Sequence, residues 1–148
     1  MPRYLADTNV LLRYADTGAD QHSPILRALE ALTLRQDEVV IVPQTIYEFW
    51  SVATRPADKN GLGWESVEVR RVVDKLVRRF ALLHDTPRVF TNWLELVTTH
   101  DVKGKQVHDA RLVAAMQTHG LSNLLTLNVK DFERYPVTPV HPDDVSEG

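Results

Sequence analysis

Short apolar runs alternate along this chain with longer stretches in which apolar residues recur every three or four positions. Residues 3–6 read as a strand, and Val39, Val40, Ile41 and Val42 form the β-branched run usual for a buried parallel strand. Residues 124–127 form another such run. Residues 81–83 are a strand or the tail of the preceding helix, and residues 137–140, broken by Pro139, can at most be an edge strand. Helical spacing fills the intervals. It covers Val10 to Leu12, then residues 21–35 with Ile25, Leu26, Leu29 and Leu32 on one face. Pro43 can open the next helix and Pro56 stops it. Residues 64–80 place Val69, Val72, Val73, Leu76 and Val77 inward, residues 87–99 continue the pattern, and residues 107–119 end at a capping Gly120. Strands alternating with helices predict a parallel sheet covered by helices on both faces. Right-handed crossovers then bring every strand's carboxyl end to one edge.

Polar residues gather at that edge. Asp7, Thr8 and Asn9 interrupt the passage from the first strand to the first helix, where open α/β sheets carry their chemistry. Asp7 or Thr8 can equally serve as the helix cap. Glu48 falls in the first turns of the helix after the second strand, between large apolar neighbours that disfavour a freely solvated carboxylate. Asp109 opens a later helix, where the helix dipole also favours an acid, and Asn128 and Asp131 follow the 124–127 run. Carboxylates gathered without matching cations repel one another unless a hard cation sits among them. Such a cluster positions a phosphodiester and activates water against phosphorus. Arg111, two residues past Asp109, is the basic side chain best placed to meet a phosphate.

Composition narrows the alternatives. The 148 residues, 43% apolar and 25% charged, suit one domain spanning residues 1–148, with no repeat or linker. No apolar run reaches the ~18 residues of a membrane span, and no basic-then-apolar signal opens the chain. Cysteine is absent, which removes thiol nucleophiles and thiolate zinc sites and is compatible with the expected cytoplasmic location. A net charge of −3 means that any nucleic acid must be met by local patches. The basic helix around Arg70 to Arg79 is more often a solvated face than an RNA track. The six histidines show no metal-binding i,i+4 pair, and no nucleophile elbow, P-loop or dinucleotide glycine pattern occurs.

LADTNVLLRY, PQTIYEFWSVATRP, VHDARLVAAMQTHG and LLTLNVKDF, in this order, resemble the PIN-domain ribonucleases, and more closely the VapC toxins of bacterial type II toxin–antitoxin pairs. The resemblance runs through essentially the whole chain. It implies a three-layer α/β/α fold with a mainly parallel central sheet and an endoribonuclease activity dependent on Mg2+ or Mn2+. Its implied partners are RNA, a small inhibitory antitoxin and a second copy of the chain, with no membrane. By position, Asp7, Glu48 and Asp109 match the metal-binding acids, and Asn9 matches the residue supporting the first of them. Asn9, Arg111 and Thr126 are the expected substrate contacts. Asn128 stands where a fourth acid is frequent, so Asn128 or Asp131 completes the catalytic set. Two other readings compete. An aspartate-nucleophile phosphatase also opens strand-Asp-x-x, but that chemistry usually wants an acid where Asn9 stands. The other is a non-catalytic module that binds RNA or protein, against which the three retained acids argue.

Overall fold

The computed structural model describes residues 2–145. Residue 1 and residues 146–148, the ends of the expected domain, lie outside the described residues. The elements follow in the order β1 (Arg3–Ala6), α1 (Thr8–Ala15), α2 (His22–Leu34), β2 (Glu38–Ile41), α3 (Pro43–Thr54), α4 (Ser66–Arg79), β3 (Ala81–Leu82), α5 (Arg88–Thr99), α6 (Gln106–Thr118), β4 (Asn123–Leu125) and β5 (Thr138–Val140). Single 3-10 turns occur at Ala57–Lys59, Val129–Phe132 and Pro142–Asp144.

All strand pairings are parallel, in the order β3-β2-β1-β4-β5. Alternate residues of each strand point to opposite faces, so each face needs its own helices. Leu5, Val40 and Leu124 pack against α5 and α6, through Val89, Leu96, Leu112 and Met116. Ala6, Val39, Ile41 and Leu125 pack against α1 to α4, through Leu11, Leu29, Phe49 and Leu76. The result is the expected α/β/α layering. β5 lies at the sheet edge, where Pro139 sacrifices no central ladder bond.

The boundaries shift where side chains and turns overrule periodicity. α4 begins at Ser66 because the Trp64 amide instead donates to the Ala53 carbonyl at 2.9 Å, tying the loop to the end of α3. Gly61 permits that approach, since a Cβ there would lie 1.9 Å from the Arg55 carbonyl oxygen. Val69 and Leu76 are buried as expected, but Val77 is 38% exposed and does not face inward. Residues 81–83 do contain a strand, β3, rather than a helix tail.

The chain leaves β1 for β2 on one side, while β4 lies on the other. The crevice between the carboxyl ends of β1 and β4 is therefore the topological switch point, where open α/β sheets bind their ligands. Ala6 pairs with Leu125, so Asp7 and Thr126 emerge there side by side.

Candidate metal centre

Asp7 is built into both the sheet and the helix that follows. Its amide donates to the Leu125 carbonyl at 2.9 Å, and its own carbonyl accepts from the Val10 and Leu11 amides that start α1. It is the helix cap and the site acid at once, so the two sequence readings coexist. The side chain is only 8% exposed. Oδ1 accepts from the Thr8 amide at 2.7 Å, while Oδ2 accepts from Thr126 Oγ1 at 2.8 Å and from Asn9 Nδ2 at 3.3 Å. These bonds favour the anion, yet burial outweighs them and lifts the pKa to about 6, with the charges of Glu48 and Asp131 adding to the rise.

Glu48 arrives from α3, half-buried, and its Oε1 accepts from Thr8 Oγ1 at 2.9 Å. Asp109 arrives from the first turn of α6, and burial again raises its pKa to about 6. The charges of Asp7, Asp131 and Glu48 raise it further, and only His108 opposes them. Asp131, exposed in the 129–132 turn, thus acts on both acids. Asp7 and Asp109 thus lie within electrostatic reach of each other and of Glu48 and Asp131, four carboxylates from four junctions.

Three expected substrate contacts have other work. Thr126 is fully buried; its hydroxyl donates to Asp7 and accepts from the Asn128 amide at 3.0 Å. Asn9 turns inward, with Nδ2 directed at Asp7 and Thr126 and Oδ1 accepting from the Leu127 amide at 3.1 Å. Both hold Asp7 in place, which for Asn9 is the supporting position that the resemblance implies. Arg111 is not brought to the acids. Its Nη1 donates to Gln44 Oε1 at 2.9 Å and its Nη2 pairs with Asp85 at 3.1 Å. There it lines a cavity of about 410 Å³ together with Phe90, Trp93 and His108. Asn128 is exposed and engages Thr126 through its backbone rather than its amide side chain.

Two supporting residues escaped the sequence reading. Thr8 orients Glu48, and Gln44, 7% exposed, donates from Nε2 to the His108 carbonyl at 2.8 Å while holding Arg111. Gln44 therefore ties the turn carrying Asp109 to the start of the helix carrying Glu48.

The donor set consists of carboxylate oxygens, which suits a hard divalent cation. Among the described residues, no three histidine or acid side chains converge closely enough to enclose an ion by themselves. A cation held here would complete its shell with water, as Mg2+ characteristically does.

A parallel α/β/α sandwich with facing acids at its switch point defines a class of protein, and comparison places the chain within it. Residues 4–137 match the PIN domain, and the chain belongs to that family. It is 28% identical over 147 residues to ribonuclease VapC24 of Mycobacterium tuberculosis, covering 96% of this chain and 97% of that protein. The fold is similar to that in the crystal structure of VapBC2 from Rickettsia felis bound to a promoter DNA fragment. There the TM-score is 0.72 at 16% identity, over 94% of this chain and 98% of that one. It is also similar to Mycobacterium tuberculosis VapC20, described as a toxin cleaving the sarcin-ricin loop. That match has a TM-score of 0.65 at 19% identity, over 92% and 99% of the two chains.

Proposed function

We propose that this protein is an endoribonuclease of the VapC type that hydrolyses RNA phosphodiester bonds with the help of Mg2+ or Mn2+. The observation that carries the reading is the four-acid crevice, in which Asp7 and Asp109 are both held above the ordinary carboxylate range. Electrostatic strain of this kind clusters at functional sites. Asp7 and Asp109 would hold the cation, with Glu48 completing the shell or orienting a water and Asp131 adding charge at the rim. When bound, the ion would supply Lewis acidity and lower the pKa of the attacking water.

The chain's own residues prepare that chemistry. Thr126, Asn9 and the Thr8 amide fix both oxygens of Asp7, so little reorganisation remains when the phosphate arrives. Thr8 leaves Glu48 Oε2 free of hydrogen bonds among the described residues, available to a water.

The relatives that bear VapC and VapBC names support an antitoxin as partner, and an anionic crevice suits occupation by an arginine from such a chain. A homodimer acting in the cytoplasm completes the reading. Among the described residues no helix is long and apolar enough to cross a membrane. Incubating the purified protein with RNA, with and without divalent metal, tests the proposal. Wild type cleaves only with metal, while Asp7→Asn and Asp109→Asn fold but lose cleavage. Near wild-type cleavage by either variant at saturating metal rejects the site.

A further inference from the structure

The cavity that Arg111 lines has no part in the metal reading. Its volume of about 410 Å³ lies within the range of roughly 300–1,000 Å³ usual for small-ligand sites, and its lining is mostly apolar. It shares the sheet edge with the acids. Asp85 follows β3 as Asp7 follows β1, and parallel strands bring both to the carboxyl edge, where open α/β sheets bind ligands. Gln44 joins the two places, since its Nε2 donates to the His108 carbonyl and its Oε1 accepts from Arg111 Nη1. Glu48 stands one turn further along the same face of α3. His108 in the cavity lining and Asp109 in the crevice are consecutive, so cavity and acids are neighbours on the scale of one nucleotide.

The groups in the lining match a nucleobase. Phe90 is 64% exposed, and its ring lies 6.1 Å from that of Trp93 with the planes tilted by 32°. Trp93 is anchored, its Nε1 donating to the Val107 carbonyl at 2.8 Å. Proteins read single-stranded RNA by stacking splayed bases on such rings and hydrogen-bonding the base edges. The polar groups that would meet such an edge are fixed in advance. Arg111 Nη2 pairs with Asp85 Oδ2 at 3.1 Å, and the buried Gln44 holds Nη1. Asp85 Oδ1 makes no hydrogen bond among the described residues, which leaves a carboxylate acceptor at the cavity. The pairing with Arg111 also offsets the negative charge that would repel RNA.

We propose that this cavity receives one guanine base of the RNA substrate, stacked on Phe90 and Trp93 and hydrogen-bonded to Asp85. This rests on the ribonuclease reading above. Guanine alone among the RNA bases presents two adjacent N–H groups, at N1 and N2, on its Watson–Crick edge, and a carboxylate is their natural acceptor. These residues touch substrate but no reacting atom. They set which sequence is cut, while the acids set how the phosphodiester is attacked.

Titrating guanosine, inosine and adenosine 5′-monophosphates into the metal-free protein tests the proposal without calling on cleavage. The readout is the NMR signal of the Trp93 indole N–H, and RNA cleavage with Mn2+ is measured on the same protein. Inosine differs from guanosine only in lacking the 2-amino group. The guanosine nucleotide should bind several-fold more tightly than the other two. Phe90→Ala, a change at an exposed ring, should weaken all three by about tenfold, as loss of one base–aromatic stack does. Asp85→Asn keeps an acceptor for Arg111 but should abolish the preference for guanosine. Equal binding of the three nucleotides, or no shift at Trp93, overturns the proposal, and RNA cleavage by that protein leaves the ribonuclease reading intact. No cleavage of RNA with metal overturns that reading and the proposal with it. Loss of self-association in Phe90→Ala, with no nucleotide bound to wild type, gives the cavity to a second copy of the chain and overturns the proposal alone.

Discussion

Thr126 Oγ1 donates to Asp7 Oδ2 at 2.8 Å across 119 residues of sequence, joining the carboxyl ends of β4 and β1. The bond makes the central acid of the crevice part of the sheet. Thr126→Val keeps the shape and removes the donor, leaving Oδ2 with the longer Asn9 bond alone. At neutral pH, where Asp7 is ionised, the cost should be about 1–3 kcal/mol. The Asp7 pKa should rise further, because Thr126 is the strongest influence holding it down. Urea unfolding at pH 7.5 and pH 4.5 checks this. The penalty should shrink at the lower pH, where the protonated carboxyl asks less of the missing donor.

Asp7 also sets the pH dependence of the metal-free protein. Its folded pKa of about 6 lies above the unfolded value of 3.8, so between these values the folded state binds more protons than the unfolded one. Stability therefore falls as pH rises through about 4 to 6 and levels off above. For Asp7 the loss is on the order of 3 kcal/mol. Asp109 shifts the same way, with a smaller contribution because it is half-exposed. Asp7→Asn cannot titrate, so the stability difference between variant and wild type should move in the variant's favour over this window. A difference independent of pH would contradict the assignment. Saturating Mg2+ should flatten the wild-type profile by favouring the ionised acids.

The acids were legible in the sequence because each stands where an apolar run gives way to a helix or turn, and the parallel topology sends all such junctions to one edge. Their supports were harder to see. Thr8 finds Glu48 40 residues away and Gln44 finds His108 64 residues away, and nothing local distinguishes either from an ordinary first-turn polar residue. Arg111 leads to Gln44 and Asp85 instead of the acids, and the signal for that existed. A helix of 3.6 residues per turn puts positions two apart nearly on opposite sides, so an arginine at Asp109 plus two turns away from the acids. The resemblance gave Asn9 as a support of the first acid, but the bonds that Asn9 and Thr126 make to Asp7 have directions that spacing does not encode.

Gln44 offers a test of alignment that leaves every carboxylate in place. Gln44→Ala removes the donor to the His108 carbonyl and the acceptor for Arg111. Stability should fall by about 1–2 kcal/mol, as expected for two lost bonds that water can partly replace. Cleavage should fall as well, since the Asp109 turn loses its tether to the helix carrying Glu48. Steady-state kinetics at saturating Mn2+ should show the loss in kcat. An unchanged kcat in a destabilised protein would mean that packing alone aligns the two helices.

The remaining choice is between Asn128 and Asp131 as completion of the acidic set. Carboxylate number is a main determinant of affinity for hard cations, so the fourth charge should be visible in metal binding. Asp131 already exerts its charge on both Asp7 and Asp109, whereas Asn128 is exposed and meets the site through its backbone N–H to Thr126. Asp131→Asn should therefore weaken Mn2+ binding several-fold and raise the stability of the metal-free protein, because one source of repulsion is removed. Asn128→Asp should change affinity little, since residue 128 meets the site through its backbone N–H and not its side chain. Mn2+ titrations of both variants decide between them. Tighter binding by Asn128→Asp, with Asp131→Asn unaffected, would move the fourth position to residue 128 and leave Asp131 as a turn residue.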